Sequence, residues 1–137
     1  MKYMSNKITA SIIFCFKGKR YSPSLDLDLD RYMQSSGQIP NLYPLIARAS
    51  NVDLYSYEYE IMQAEPIKFS KPQGMVAEHV IGNTLDIKAF ESAWLEHKIL
   101  QQLQEITANS MAINNLQQHP ELMEALLQAY HLGKNQN

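Results

Sequence analysis

The chain has 137 residues, of which 45% are hydrophobic and 19% charged, and its formal net charge is −2. This length suits one domain with its own hydrophobic core, and the apolar fraction is too high for a disordered chain. The near-neutral charge gives no general attraction to nucleic acid or to anionic membranes. A single cysteine excludes an internal disulfide framework and a zinc site built from several cysteines, so we expect a reducing compartment, the cytoplasm.

The N-terminal segment needs a separate check, because Lys2 and Lys7 precede the apolar run 8–16 in the manner of a signal peptide. The run ends at the bulky Phe16 and is followed by basic residues, where a cleavage site requires small side chains. No apolar run approaches the ~20 residues that a membrane-spanning helix needs. We therefore expect a β-strand in this segment and no association with membranes.

The first 30 residues predict a β-hairpin. Gly18 and Lys19 suit the centre of a type II′ turn, which places Lys17 opposite Arg20 and defines strands over 7–17 and 20–30. One face then contains only apolar pairs: Phe16 with Tyr21, Phe14 with Pro23, Ile12 with Leu25, Ala10 with Leu27, and Ile8 with Leu29. A slip by one residue would move aspartates into the core, so the alternation specifies which face is buried.

The aspartates at 26, 28 and 30 resemble the start of a calcium-binding loop. An EF-hand loop that begins at Asp26 needs glycine at its sixth position and glutamate at its twelfth, but this chain has Arg31 and Gly37 there. In a strand these carboxylates are about 6.6 Å apart and do not converge on one ion. We interpret them as a solvated strand face that limits edge-to-edge association.

The middle of the chain predicts helices. Residues 31–38 are polar and we expect them to be irregular, whereas 41–50 is typical of a short helix. Residues 51–65 are ambiguous, because the alternating tyrosines favour a strand and the glutamates and the apolar stripe favour a helix. We interpret the segment as a helix, with Asp53 as its N-cap and Pro66 as its stop.

The second half of the chain predicts a second hairpin over 67–81, with its turn at 71–74. A long amphipathic helix follows from about 86 to 107, and a short helical turn is expected within 109–118. The last helix begins at Pro120 and ends at Gly133 and Lys134.

Together these elements predict an α+β fold. A small antiparallel sheet, built from hairpins at about 7–30 and 67–81, packs against helices concentrated in the C-terminal half. The chain has no internal repeat, low-complexity tract or long linker, so 1–137 is expected to be a single domain with short disordered ends at 1–5 and 134–137.

The reactive residue types lack the neighbours that catalysis or metal binding requires. Cys15 has no recognisable nucleophile motif around it, and we interpret it as a small strand residue. The four histidines, at 79, 97, 119 and 131, show no metal-ligand spacing. We therefore predict no catalytic residue, no metal site and no cofactor. A site assembled by the fold from residues that are distant in sequence stays an open alternative.

The densest aromatic region contains Tyr55, Tyr57 and Tyr59. Tyrosine is enriched at protein interfaces because it offers a large amphipathic area at low entropic cost, but the same residues also pack in cores. Our first hypothesis is a non-enzymatic module that binds a protein partner or self-associates, with these tyrosines as its interaction surface.

Two other hypotheses stay open. A small-molecule binder or minor enzyme would have its site between the sheet and the helices, with His79, His97, Arg48 and Tyr57 as its lining. A nucleic-acid contact would use the basic hairpin tip 17–20, which aromatic residues flank. Three basic residues on a net acidic chain form a small footprint, so we expect this tip to be a solvated turn.

Overall fold

A computed structural model describes residues 5–111 and 115–135, and it confirms the predicted α+β class. The strands are β1 (Lys7–Ser11), β2 (Phe14–Phe16), β3 (Lys19–Tyr21), β4 (Ser24–Asp28), β5 (Lys68–Gln73), β6 (Val80–Ile81) and β7 (Thr84–Leu85). The helices are α1 (Leu29–Ser36), α2 (Leu42–Ala49), α3 (Tyr57–Gln63), α4 (Ile87–Met111) and α5 (Pro120–Asn135), and two 3₁₀ helices span Met75–His79 and Leu116–Gln118.

The largest sheet has the strand order β4-β1-β5, and all its pairs are antiparallel. Its inner face carries buried apolar side chains: Ile8, Ala10, Leu27 and Phe69. Its outer face carries Thr9, Asp26 and Asp28. The predicted division into a dry face and a wet face is therefore confirmed over these strands.

The turn of the first hairpin lies one residue earlier than predicted. Phe16 pairs with Lys19, so Lys17 and Gly18 occupy the two central positions, and their φ angles are 51° and 74°. Positive φ at both positions defines a type I′ turn, not the expected type II′. Every pair is consequently displaced by two residues from the prediction, and Ile8 faces Leu27. A shift by two preserves the face of each side chain, so alternation alone could not detect it.

The hairpin is also not continuous. Ile12 donates its amide hydrogen to the carbonyl oxygen of Pro23 (3.0 Å), but Pro23 has no amide hydrogen with which to complete the pair. The ladder is therefore interrupted there, and β2 and β3 form a separate two-stranded sheet.

The expected strand to residue 30 and the expected irregular segment 31–38 are both wrong, because α1 begins directly after β4. Leu29 and Met33, one helical turn apart, are both buried. Gly37, with φ 73°, ends the helix by donating its amide hydrogen to the carbonyl oxygen of Met33 (2.9 Å).

Asp30 is consequently not a solvated strand residue. Its carboxylate accepts hydrogen bonds from the backbone amide and from the side-chain Nδ2 of Asn6, each at 2.9 Å. Asn6 is buried, and its Oδ1 accepts the amide hydrogen of Val76 (3.0 Å). This pair of side chains connects the start of α1 to the 3₁₀ helix that follows β5.

The second hairpin, which was predicted over 67–81, does not form. β5 pairs with β1 along 68–73, with a bulge at Lys71, whose φ is 52°. Residues 75–79 form a 3₁₀ helix, and the hairpin that does form joins β6 to β7 across Gly82, with φ 61°. A proline at 72 is tolerated because β5 lies at the edge of the sheet.

The other helices agree with their predictions apart from their ends. The ambiguous segment 51–65 does contain a helix, α3, but its N-cap is Ser56 and not Asp53. α5 begins at Pro120 as predicted and continues through Gly133 to Asn135, so the expected stop is wrong. Of the predicted disordered ends, residues 1–4 and 136–137 lie outside the described residues, as do 112–114 of the expected helical turn at 109–118.

The chain divides into two compact units between Ser92 and Ala93. The first contains the sheets, α1 to α3 and the start of α4, and its most deeply buried side chains include Ile12, Ile46, Met62 and Phe90. The second contains the rest of α4, the second 3₁₀ helix and α5. The single domain over 1–137 stays a prediction. Over residues 5–111 and 115–135, no helix is long and apolar enough to cross a membrane.

Candidate functional site

The structure places the three predicted tyrosines in two different environments. Tyr55 is 98% exposed and Tyr57 is 74% exposed, whereas Tyr59 is only 8% exposed. Tyr59 lies on the inner side of α3 with the buried Met62, so it is a core residue. Tyr55 and Tyr57 alone remain as surface residues of the predicted interaction site.

The backbone that presents both tyrosines is fixed by local hydrogen bonds. The carboxylate of Asp53 accepts the amide hydrogen of Tyr55 (2.9 Å), and the amide of Ser56 donates to the carbonyl oxygen of Asp53 (3.0 Å). The hydroxyl of Ser56 donates to the same carbonyl (2.6 Å) and accepts the amide hydrogen of Tyr59 (3.2 Å), which caps α3. Little backbone entropy therefore remains to be lost when a partner binds.

Acidic residues flank these two tyrosines in the sequence. Asp53, Glu58 and Glu60 occur beside them in the sequence, and no basic residue lies between Arg48 and Lys68. We refer to Asp53, Tyr55, Tyr57, Glu58 and Glu60 as the tyrosine surface. Its electrostatic character is negative, and its apolar area comes from the two rings.

The inner side of α3 anchors the tyrosine surface to the first unit. α3 packs against β2 and α2. At the C-terminal end of α3, the hydroxyl of Tyr43, in α2, donates to the carbonyl oxygen of Glu65 (2.7 Å). Tyr43 therefore holds the segment after α3 in place. The exposed rings lie at the start of a helix that is packed against the rest of the first unit.

The residues predicted to line a pocket are distributed over both units. Arg48 is exposed on α2, and His79 ends the first 3₁₀ helix, with its ring edge-on to Phe90 at 6.3 Å. Among the described residues, no hydrogen bond or ring contact joins Arg48 to His79. His97 lies on α4 in the second unit and is half-buried. The pocket hypothesis stays a prediction.

His79 has an unusual environment within the first unit. Its Nε2 atom is buried, and no atom of the described residues forms a hydrogen bond with it. A buried polar atom that lacks a hydrogen-bond partner carries a desolvation cost.

A concave surface that the sequence did not predict lies on the outer face of the three-stranded sheet. It has a volume of about 400 Å³ and is lined by Lys7, Thr9, Asp26, Asp28, Lys71 and Gln73, together with Ile8 and Leu27. The Thr9 hydroxyl donates to the Asp26 carboxylate (2.7 Å). Carboxylates on β4 and ammonium groups on β1 and β5 together offer complementary charges to a small polar ligand. No sequence signal indicated this surface, because it depends on the pairing of β5 with β1.

The basic hairpin tip 17–20 is exposed, although its turn is centred one residue earlier than predicted. The Nζ atom of Lys17 lies 5.3 Å from the centroid of the Phe16 ring, and that of Lys19 lies 5.5 Å from the Tyr21 ring. Both cations are therefore engaged by rings of the same hairpin. Cys15 is exposed on β2. Over the described ranges, no group of three or more His, Cys, Asp or Glu side chains is placed to hold a metal ion.

Comparison of this chain with protein-family models, with curated proteins and with solved structures finds no match in any of the three.

Proposed function

We propose that this chain is a non-enzymatic protein-interaction module whose tyrosine surface binds a lysine- and arginine-rich segment of a partner protein. The observation that carries the proposal is the exposure of Tyr55 and Tyr57, at 98% and 74%, on a backbone fixed by hydrogen bonds. Two large rings that lie close in sequence and are mostly open to water offer apolar area that a partner can bury.

Tyrosine suits this role for energetic reasons. Each ring buries a large area on binding while it loses only two side-chain torsions, and tyrosine is over-represented among the residues that dominate binding energies. Tyr55 and Tyr57 also keep their hydroxyls available for hydrogen bonds to the partner. The fixed turn at 53–56 lowers the entropic cost of association further.

The charge of the tyrosine surface supports a basic partner. Asp53, Glu58 and Glu60 produce a negative potential that steers a cationic segment towards the site. A lysine or arginine placed over either ring gains a cation–π attraction, to which the nearby carboxylates add. The hairpin tip 17–20 is a weaker candidate for the binding site than the tyrosine surface, because Lys17 and Lys19 already lie over Phe16 and Tyr21.

The proposal includes a cytoplasmic location. An exposed, unpaired Cys15 supports it, since reducing compartments keep such thiols free.

A labelled short peptide of lysine and arginine provides the direct test. We expect the wild-type protein to bind it with a salt-dependent affinity, as measured by fluorescence anisotropy. The double variant Tyr55→Ala/Tyr57→Ala should bind at least about tenfold more weakly, because two aromatic contacts are lost. Glu58→Gln/Glu60→Gln should weaken binding and reduce its salt dependence.

The matched control is Asp26→Asn/Asp28→Asn, which removes the same number of carboxylates from the outer face of the sheet. This control should bind the peptide as the wild type does. Equal binding by the tyrosine variant and the wild type would overturn the proposal, as would equal losses in both charge variants. A tyrosine-dependent self-association in the absence of peptide would instead assign a second copy of the chain to this surface.

A further inference from the structure

The concave surface on the outer face of the three-stranded sheet, which we call the outer-sheet site, carries charges of both signs. The carboxylates of Asp26 and Asp28 belong to β4, whereas the ammonium groups of Lys7 and Lys71 belong to β1 and β5. Because the strand order is β4-β1-β5, one edge of the site is acidic, and its centre and opposite edge are basic.

These charged groups do not neutralise one another in pairs. Lys7 is the cross-strand neighbour of Asp28. Over the part of the chain that the structure describes, however, the ammonium groups of Lys7 and Lys71 and the carboxylate of Asp28 form no ion pair and no hydrogen bond. The Asp26 carboxylate accepts the Thr9 hydroxyl through Oδ1 (2.7 Å), which leaves Oδ2 open to a ligand. A charged ligand that binds here has no ion pair of the protein to break.

Lys71 reaches this face only because β5 contains a bulge. Residues 7–9 of β1 pair with residues 70–73 of β5, so two steps along β1 correspond to three along β5. Strict alternation would place Lys71 on the buried face of the sheet. The bulge instead directs Lys71 to the outer face, with a φ of 52° that is unfavourable for lysine. Backbone in such conformations is concentrated at functional sites.

The mixture of charges indicates the class of ligand. A metal cation would be repelled by Lys7 and Lys71. A simple anion such as phosphate would be repelled by Asp26 and Asp28. A zwitterion is attracted by all four groups, provided that its ammonium group points towards β4 and its anionic group towards β5.

The spacing of the strands indicates the length of the ligand. Neighbouring strands lie about 4.8 Å apart, so the acidic strand is about 5 Å from β1 and about 10 Å from β5. A free amino acid carries both charges on one carbon atom and is too short to contact both edges. An extended dipeptide spans about 7 Å between its charged ends, which lies between these limits. The site, with a volume of about 400 Å³, accommodates a molecule of this size.

We propose that the outer-sheet site binds the zwitterion of a dipeptide with free termini. The ammonium group of the ligand contacts Asp26 and Asp28, and its carboxylate contacts Lys7 and Lys71. The side-chain amide of Gln73, which can both donate and accept a hydrogen bond, serves the peptide group between them.

The site recognises the termini of the ligand and not its side chains. Its apolar lining comes from Ile8 and Leu27, which are each only 2% exposed because their side chains point into the core. The outer-sheet site therefore offers no apolar pocket for a ligand side chain. This binding is independent of the tyrosine surface, which lies on a different part of the first unit.

Titration of the full-length ¹⁵N-labelled protein with alanyl-alanine tests the proposal through amide chemical shifts. We expect saturable shifts at residues 7–9, 26–28 and 71–73, and none at 53–61. Lys71→Asn should raise the dissociation constant roughly three- to tenfold, because one charged contact is lost. Asparagine tolerates the positive φ at this position, so the bulge is retained.

The matched control is Lys68→Asn, which removes an exposed lysine from the same strand outside the outer-sheet site. It should bind alanyl-alanine as the wild type does. Asp28→Asn should weaken binding to the same extent as Lys71→Asn, since it removes one contact at the other end of the ligand. Equal losses in Lys71→Asn and Lys68→Asn would overturn the proposal, as would unchanged binding by Asp28→Asn.

Blocking one end of the ligand at a time tests the assignment of its two charges. N-acetyl-alanyl-alanine lacks the ammonium group and alanyl-alanine amide lacks the carboxylate, so each should bind more weakly than alanyl-alanine. Equal binding of the acetylated form would indicate an anion site, and equal binding of the amide would indicate a cation site; either result would contradict the proposal. An absence of saturable shifts with alanyl-alanine would also overturn it, and would leave binding at the tyrosine surface unaffected.

Discussion

The role of Asp30 depends on where β4 ends and α1 begins. The sequence placed Asp30 with Asp26 and Asp28 on one solvated strand face. Because the strand ends at Asp28 and α1 begins at Leu29, Asp30 instead accepts two hydrogen bonds from the buried Asn6. Local alternation could not predict this role, since Asn6 is distant in sequence.

Replacement of Asp30 by alanine should lower the free energy of unfolding by about 1–3 kcal/mol, because the amide and Nδ2 donors of buried Asn6 lose their acceptors. Urea denaturation measures this change as a shift of the transition midpoint. Asp28→Asn is the matched control, and a change within about 0.5 kcal/mol is expected because asparagine also suits the N-cap of α1 and Asp28 makes no side-chain cap hydrogen bond. Equal destabilisation by the two variants would contradict the assigned role of Asp30.

At the scale of elements, patterns with strong periodicity were predictable and pairings that involve distant segments were not. Alternation identified the buried face of β1 and β4, and spacing identified α2, α4 and the start of α5. The prediction of a second hairpin was wrong because β5 pairs with β1, some sixty residues earlier, and not with the segment that follows it in the sequence. α1 was missed because its eight residues include only two buried side chains.

The turn of the first hairpin can be tested by substitution. Lys17 has a φ of 51°, a conformation that is unfavourable for lysine and acceptable for asparagine. Lys17→Asn should therefore raise the free energy of unfolding by about 0.5–1 kcal/mol. Chemical denaturation measures this change. Lys19→Asn is the control, because Lys19 lies in β3 and its replacement should not raise the free energy of unfolding. If only Lys19→Asn stabilised the protein, the result would support the type II′ turn predicted at Gly18 and Lys19 and contradict the type I′ turn at Lys17 and Gly18.

At the scale of the whole molecule, the sequence predicted the α+β class and named the segment that contains the candidate site. It could not separate Tyr59 from Tyr55 and Tyr57, because a helix capped by Asp53 would have placed Tyr55 and Tyr59 on one face, whereas α3 begins only after Ser56. The helical period of α3 instead buries Tyr59 with Met62 and leaves the other rings exposed. The concave surface on the outer face of the sheet depends on the pairing of β5 with β1, for which the sequence contains no local signal.

The central claim is that the tyrosine surface receives a basic segment of a partner protein. Its most direct test is a titration of ¹⁵N-labelled protein with the unlabelled lysine- and arginine-rich peptide, followed by amide chemical shifts. We expect the largest shifts at residues 53–61, with saturation at the affinity that anisotropy gives and little change at Thr9 and Asp26. Shifts that centre on the outer face of the sheet, or an absence of shifts at Tyr55 and Tyr57, would contradict the claim.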